Sequence, residues 1–227
     1  MRPCTLYSCQ VVTDRLSRTT VAEHALKLAD AEGLGAVTIR RLAQELGVTP
    51  MALYWHFKNK DELLLGLADH VLAGVQASRE PDDPWLGQLR AMVEALVGVM
   101  REHPCLPELL QLIDKQEAAS FTRATNDALE LLGRGGFSLE EGYWIASYLL
   151  HGAIGLVAAQ PYCPAAMGPA EATEWRRQKR LTMEKLPADQ YPHIVALART
   201  FTDEPDVDRY YRFGIDLIMA GVLSTAT

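Results

Sequence analysis

The stretch from Thr38 to Lys60, TIRRLAQELGVTPMALYWHFKNK, leaves the chain few ways to fold. Ile39, Leu42, Ala43 and Leu46 recur at helical spacing, which places one apolar stripe on a helix. Gly47 follows, where a left-handed C-cap residue is expected. Thr49 is placed to cap a second helix, with Pro50 at its first position, where a missing N–H costs nothing. Helices joined so tightly cannot fold back antiparallel, so they cross steeply, as in a helix-turn-helix. Leu53 and Phe57, four apart, turn one face of the second helix to the core. Met51, Ala52, Tyr54, Trp55 and His56 share the rest. Soluble surfaces seldom carry Tyr, Trp and His together without a partner. A helix that enters a DNA groove, with Lys58 and Lys60 behind it to hold a phosphate, accounts for them. Asn59 then caps a further helix, with Glu62 at capping-box distance.

The preceding segment completes a three-helix unit. Thr20 and Glu23 have capping-box spacing, and Val21, Ala25, Leu28 and Ala29 form an apolar stripe ending at Gly33. From Leu16 to about Leu65 the order and spacing of LSRTTVAEHALKLADAEG, TIRRLAQELGV and LYWHFKNKDELL resemble the TetR family of bacterial one-component regulators. The resemblance implies a homodimer, a recognition helix matching Pro50 to Phe57, and a C-terminal helical domain that binds a small ligand. It assigns DNA contacts to Arg40, Tyr54, Trp55, His56 and Lys60, and the same helix start brings Thr49, Pro50, Met51 and Ala52 to the groove. Ala52 offers only a methyl contact, as to a thymine. The plainer alternatives are packing of Tyr54 on the first helix, partial burial of Trp55 and an ordinary solvated Lys60.

Charge divides along the same line. Residues 1–64 balance to +1 and residues 65–227 to −8, which makes the net charge of −7. An acidic chain is a poor nucleic-acid binder as a whole, but the acidic excess lies away from the expected head. A +1 head implies a modest salt dependence of binding. Residues 1–15 show no periodicity and no signal peptide, and read as a mobile arm in which Arg15, with Arg18 beyond it, can reach phosphate or a minor groove. The four cysteines have no metal-ligand spacing, so neither a zinc site nor a disulfide framework is expected. A redox-sensing thiol at Cys105 or Cys163 is left open.

Beyond Leu65 every segment reads as helix, so the expected fold is all-α: a mobile arm (1–15), a helix-turn-helix head (16–65) and a helical ligand-binding and dimerisation domain (66–227). Helix 4 is expected to run through Val71 and Val75. Further helices are expected at Trp85–His103, about 117–132, from Ser138 to Gln160, about 171–185 and 190–201, and from Pro205 to about Leu223. Residues 143–159 and 210–223 are apolar nearly all round and demand cover on more than one side. Gly152, Gly155, Gly214, Leu217, Ile218 and Gly221 are therefore assigned to a two-fold four-helix interface, with a monomer core as the alternative. The segment RYYRFGIDLIMAGVL resembles the dimerising end of the TetR proper subgroup. The apolar run 145–159 is short for a membrane span and holds Ser147 and His151, so no membrane is expected and the cytoplasm is the expected location.

Candidate ligand contacts are polar or aromatic positions amid apolar helices: His103, Gln111, Phe121, Asn126, Trp144, Ser147, His151, Tyr162 and Trp175. His103 matches the metal- and drug-binding His of tetracycline repressors. The carboxylate expected late in the long helix is absent, since Ala158 and Ala159 stand there, so no metal or cofactor is expected and an apolar or aromatic ligand fits the residue types. No Ser-centred elbow, Gly-rich phosphate loop or HExxH occurs, which argues against an enzyme. The function expected is a ligand-released repressor on an inverted-repeat operator. A helical binding or scaffold protein with a non-functional DNA head is the alternative.

Overall fold

The computed structural model describes residues 16–77, 82–160, 167–201 and 205–225, and the described residues contain helices and no strand. Four helices form the head: α1 (Arg18–Glu32), α2 (Ile39–Glu45), α3 (Pro50–Tyr54) and α4 (Lys60–Leu72), whose second half enters the body. The body comprises α5 (Trp85–Glu102), α6 (Leu106–Leu112), α7 (Ala119–Arg134), α8 (Leu139–Ala158), α9 (Pro169–Glu184), α10 (Pro192–Leu197) and α11 (Val207–Thr225). Residues 1–15, with their expected arm, lie outside the described residues.

Most caps are those expected. Thr49 Oγ1 accepts from Ala52 N at 3.3 Å, Asn59 Oδ1 from Glu62 N at 2.7 Å, and Gly47 adopts φ +66°. Ser138 and Glu141 close a reciprocal capping box at the start of α8. Two expectations are corrected. Ser17, not Thr20, caps α1, its hydroxyl accepting from Thr20 N at 3.0 Å. α4 stops at Leu72, and Val75 is buried from a turn beyond it. Pro107 sits in the first turn of α6, a helix that the sequence reading did not include, where its ring and missing N–H are harmless.

One apolar core runs from head to body. Leu42, Leu53, Phe57, Leu63 and Leu67 fill the head, and α5, α7 and α8 pack around Leu89, Val93, Leu131 and Leu149. A second, small cluster joins Met183, Ala198 and Phe201, with Trp175 against it, so α9 and α10 hold each other apart from the main core.

α8 and α11 bury one face each within the chain, through Leu149, Ala153 and Val157 on α8 and through Ile215, Met219 and Val222 on α11. Their outer faces leave Tyr148 75 % exposed and Phe213 and Leu217 66 % exposed. Two assigned interface glycines are reassigned. A Cβ at Gly152 would come within 3.1 Å of Ile218 Cδ1, and one at Gly214 would collide with Leu156. Both therefore let α8 and α11 close on each other inside one chain, and Ile218 is half-buried there. At Gly155 and Gly221 a Cβ meets nothing, so these two remain on the outer face with Leu217.

Candidate nucleic-acid interface and ligand cavity

α3 presents its outer side as the sequence implies. Trp55 is 85 % exposed and Met51 67 %, Tyr54 is exposed, and Ala52 and His56 are half-buried, while Leu53 and Phe57 point inward. Thr49 and Pro50 are exposed at the helix start. Of the two arginines on α2, Arg41 is held by Glu45 at 2.7 Å and Glu32 at 2.8 Å. Arg40 is exposed without an ion pair among the described residues, which leaves it as the free cation of the two. Lys60 Nζ donates to Leu34 O at 3.1 Å, fixing the ammonium at the α4 N-terminus with donors to spare.

Arg18 is not available for phosphate as expected. Its Nη1 donates to His56 O at 2.6 Å and pairs with Glu62 Oε1 at 3.0 Å, while its guanidinium lies 4.4 Å from the Phe57 ring centroid. It ties α1 to the recognition helix instead. Glu62 completes this clasp: the Lys58 backbone N–H first, and Arg18 second, hold its carboxyl below the ordinary range. A lowered folded pKa means that the contribution is present above the ordinary Glu pKa and lost as pH falls through the lowered one. Glu62→Gln should therefore melt below wild type at neutral pH, with the gap closing in acid. Thermal unfolding of both chains down a pH series measures this, and a gap that stays constant would contradict it.

In the body a cavity of about 690 Å³ opens between α5, α7, α8 and the 3₁₀ turn Lys115–Glu117. The α5 wall is apolar, from Leu89, Met92, Val93 and Leu96, and the α7 and α8 walls are mixed. Of the candidate ligand contacts, Phe121, Asn126, Ser147 and His151 line it together. His151 Nδ1 lies 2.7 Å from Ser147 O, and since a carbonyl only accepts, that nitrogen carries the proton and Nε2 is left as acceptor in the neutral ring. Tyr143, Thr125 and Lys115 also line the cavity, and sequence reasoning missed them. Tyr143 lies four residues before Ser147, so the helical period that selected Ser147 and His151 could have found it. Lys115 sits in a turn with no periodic signal.

Four candidates lie elsewhere. His103 Nδ1 is 2.7 Å from Asp30 Oδ2, bridging the end of α5 to α1 of the head. Gln111 lines a separate hollow with Met100, Val157 and Tyr211. Trp144 faces outward on α8, and Trp175 belongs to the small cluster of α9 and α10. Tyr162 and Cys163 lie outside the described residues. Burial first, then Asp30, pushes the Cys105 thiol up to about 12, so it stays protonated and unreactive at neutral pH. His103, the match to the metal- and drug-binding His of tetracycline repressors, is engaged by Asp30 in this chain.

Two links tie body residues to α4 and α1. Ser120, in the first turn of α7, donates from N to Asp69 Oδ1 at 2.6 Å and from Oγ to Asp69 O at 2.9 Å. Asp69 lies on α4, so it supplies the cap that Ala118 cannot give α7. Asp30 on α1 makes the second link, holding His103 and accepting from Cys105 N at 3.4 Å.

A helix-turn-helix head joined to a helical body with an apolar cavity defines a class, the ligand-binding transcription regulators. The family model described as "Bacterial regulatory proteins, tetR family" matches residues 22–67, and "Tetracyclin repressor-like, C-terminal domain" matches residues 77–226. The chain belongs to the TetR family. It is 30% identical over 217 residues to the HTH-type transcriptional repressor DrrR1 of Streptomyces coeruleorubidus, covering 91% of this chain and 77% of that one. It is 27% identical over 209 residues to the class D tetracycline repressor protein of Escherichia coli, covering 91% and 89% of the two chains. Among solved structures, the TetR family protein ActR of Streptomyces coelicolor in complex with actinorhodin superposes with a TM-score of 0.79 at 28% identity, covering 94% and 98%. Among the described residues no helix is long and apolar enough to cross a membrane.

Proposed function

We propose that this chain is a cytoplasmic repressor that binds an inverted-repeat operator as a homodimer and leaves it when a small apolar or aromatic molecule fills the body cavity. It acts by binding, not by catalysis. The observation that carries this reading is the Asp69–Ser120 link, which ties the α7 wall of the cavity to the helix that carries the head. A ligand that favours a different placement of α7 then shifts α4 and the spacing of the two heads. Such a shift needs only a difference in affinity between the two states.

Successive major grooves recur every 34–36 Å or so along one face of DNA, so two heads must be held at a fixed separation. The outer faces of α8 and α11, with Tyr148, Phe213, Leu217, Gly155 and Gly221, support a four-helix contact between two copies. The head (16–65) and body (66–227) would then work as reader and sensor. At the DNA, Arg40, Thr49, Pro50, Met51, Ala52, Tyr54, Trp55, His56 and Lys60 form the reading surface, the cations setting register and the recognition helix reading bases. Replacing Tyr54 and Lys60 together by Ala should weaken operator binding by roughly a hundredfold, since one such side chain on DNA is worth on the order of 1–3 kcal/mol. A mobility shift measures it, with size-exclusion chromatography to show that the variant keeps its assembly. Unchanged affinity in the double variant would sink the assignment.

A further inference from the structure

The cavity carries an asymmetry of charge that speaks to what fills it. Lys115 is the one cation in its lining among the described residues, is only partly exposed, and makes no ion pair. Its backbone is pinned: Ala118 N donates to Lys115 O at 3.1 Å, Gln116 N to Asp114 Oδ1 at 3.1 Å, and Thr122 Oγ1 to Gln116 O at 2.9 Å. Lys115 is therefore carried on a fixed turn that lines the cavity together with Leu89, Met92, Val93 and Leu96 of α5. Asp114, beside it in sequence, gives one carboxylate oxygen to the turn and makes no ion pair with Lys115. All the remaining lining residues are neutral, apart from His151, whose Nδ1–H is directed at Ser147 O.

Lys115 makes no ion pair, and a ligand that brings an anion to its ammonium gains a charge-assisted hydrogen bond. A ligand that is apolar throughout gains no such bond. We infer that the ligand is an aromatic acid, its rings against the α5 wall and its carboxylate or phenolate on Lys115. This inference rests on the reading of the cavity as the ligand site and adds the chemical class of what it holds.

The experiment uses the full-length chain and two probes of one shape, anthraquinone-2-carboxylate and anthraquinone-2-carboxamide, with binding followed by calorimetry. Wild type is expected to take the carboxylate about tenfold more tightly than the amide, the factor that one charge-assisted hydrogen bond brings. Lys115→Met should lose that preference and still bind the amide as wild type does. Ala146→Trp, which fills the cavity from α8, should bind neither. Equal affinities in wild type, or a preference that survives in Lys115→Met, would overturn the acid assignment while leaving the cavity as the ligand site. If wild type bound neither probe, or Ala146→Trp bound both, the reading of the cavity as an aromatic-ligand site would fall, and the acid assignment with it.

Discussion

A Phe57→Ala chain is expected to lose operator binding altogether while its body stays folded. Phe57 is 1 % exposed and stands between α3 and α4, with the Arg18 guanidinium over its ring. Gly66 on α4 is shaped to it, since a Cβ there would lie 2.5 Å from Phe57 Cε1. Removing the ring leaves a cavity and should cost about 3–5 kcal/mol. A unit of this size holds only about 3–7 kcal/mol in all. The loss thus nears the whole stability of the head, and the recognition helix loses the surface that orients it. Body helices α5, α7 and α8 do not depend on that ring. Circular dichroism should show a partial loss of helix with the body transition kept, and the mobility shift should vanish. Phe57→Leu, which restores much of the volume, should recover binding. Operator binding by Phe57→Ala within tenfold of wild type would show that the head does not rely on this ring.

Asp69→Ala is expected to separate sensing from DNA binding. The change strips the carboxylate from Ser120 N–H, a buried group that then has no side-chain partner at the start of α7. The loss should cost about 1–3 kcal/mol, from the unmet donor and the missing anion at a helix N-terminus. More telling is the coupling. With the carboxylate gone, only the Ser120 Oγ bond to the Asp69 main-chain carbonyl remains, and movement of the α7 wall reaches α4 less fully. Affinity for the operator without ligand should change only a few-fold. The concentration of a releasing compound needed for half-release should rise by roughly tenfold or more, while its direct affinity for the cavity changes little. Paired titrations, one of release and one of direct binding, give both numbers. Parallel changes in the two would mean that the link only stabilises the body.

The head was legible in the sequence because its signals are local. Thr49 and Pro50, Gly47 and Asn59 each determine a cap or turn by their own chemistry, and the apolar spacing of α2 does the rest. Most body helices were legible for the same reason, down to the Ser138–Glu141 box, but α6, which opens at the Pro107 turn, was not. What stayed hidden depends on residues that are distant in the chain and meet only in the fold. Gly152 and Gly214 looked like interface residues because a sequence cannot say which helix comes close, and the structure puts Ile218 and Leu156 of the same chain there. His103 looked like a ligand residue, yet Asp30, in the head, claims it. Lys115 escaped notice because a turn has no period, and Asp69 because its partner lies on another helix fifty-one residues away. Arg18 read as a free cation until Glu62 and the His56 carbonyl were seen to hold it.

The central claim, a sequence-specific regulator that works as a pair, is tested most directly by a mobility-shift titration against DNA flanking the gene that encodes this chain. It is run at two salt concentrations with excess non-specific competitor, and extended to sites selected from random DNA. The expected result is a shift that survives competitor, with two chains per inverted-repeat site and a modest loss of affinity at the higher salt. Binding that vanishes with competitor on every fragment, selected ones included, would contradict the claim and leave a helical ligand-binding protein with a silent head.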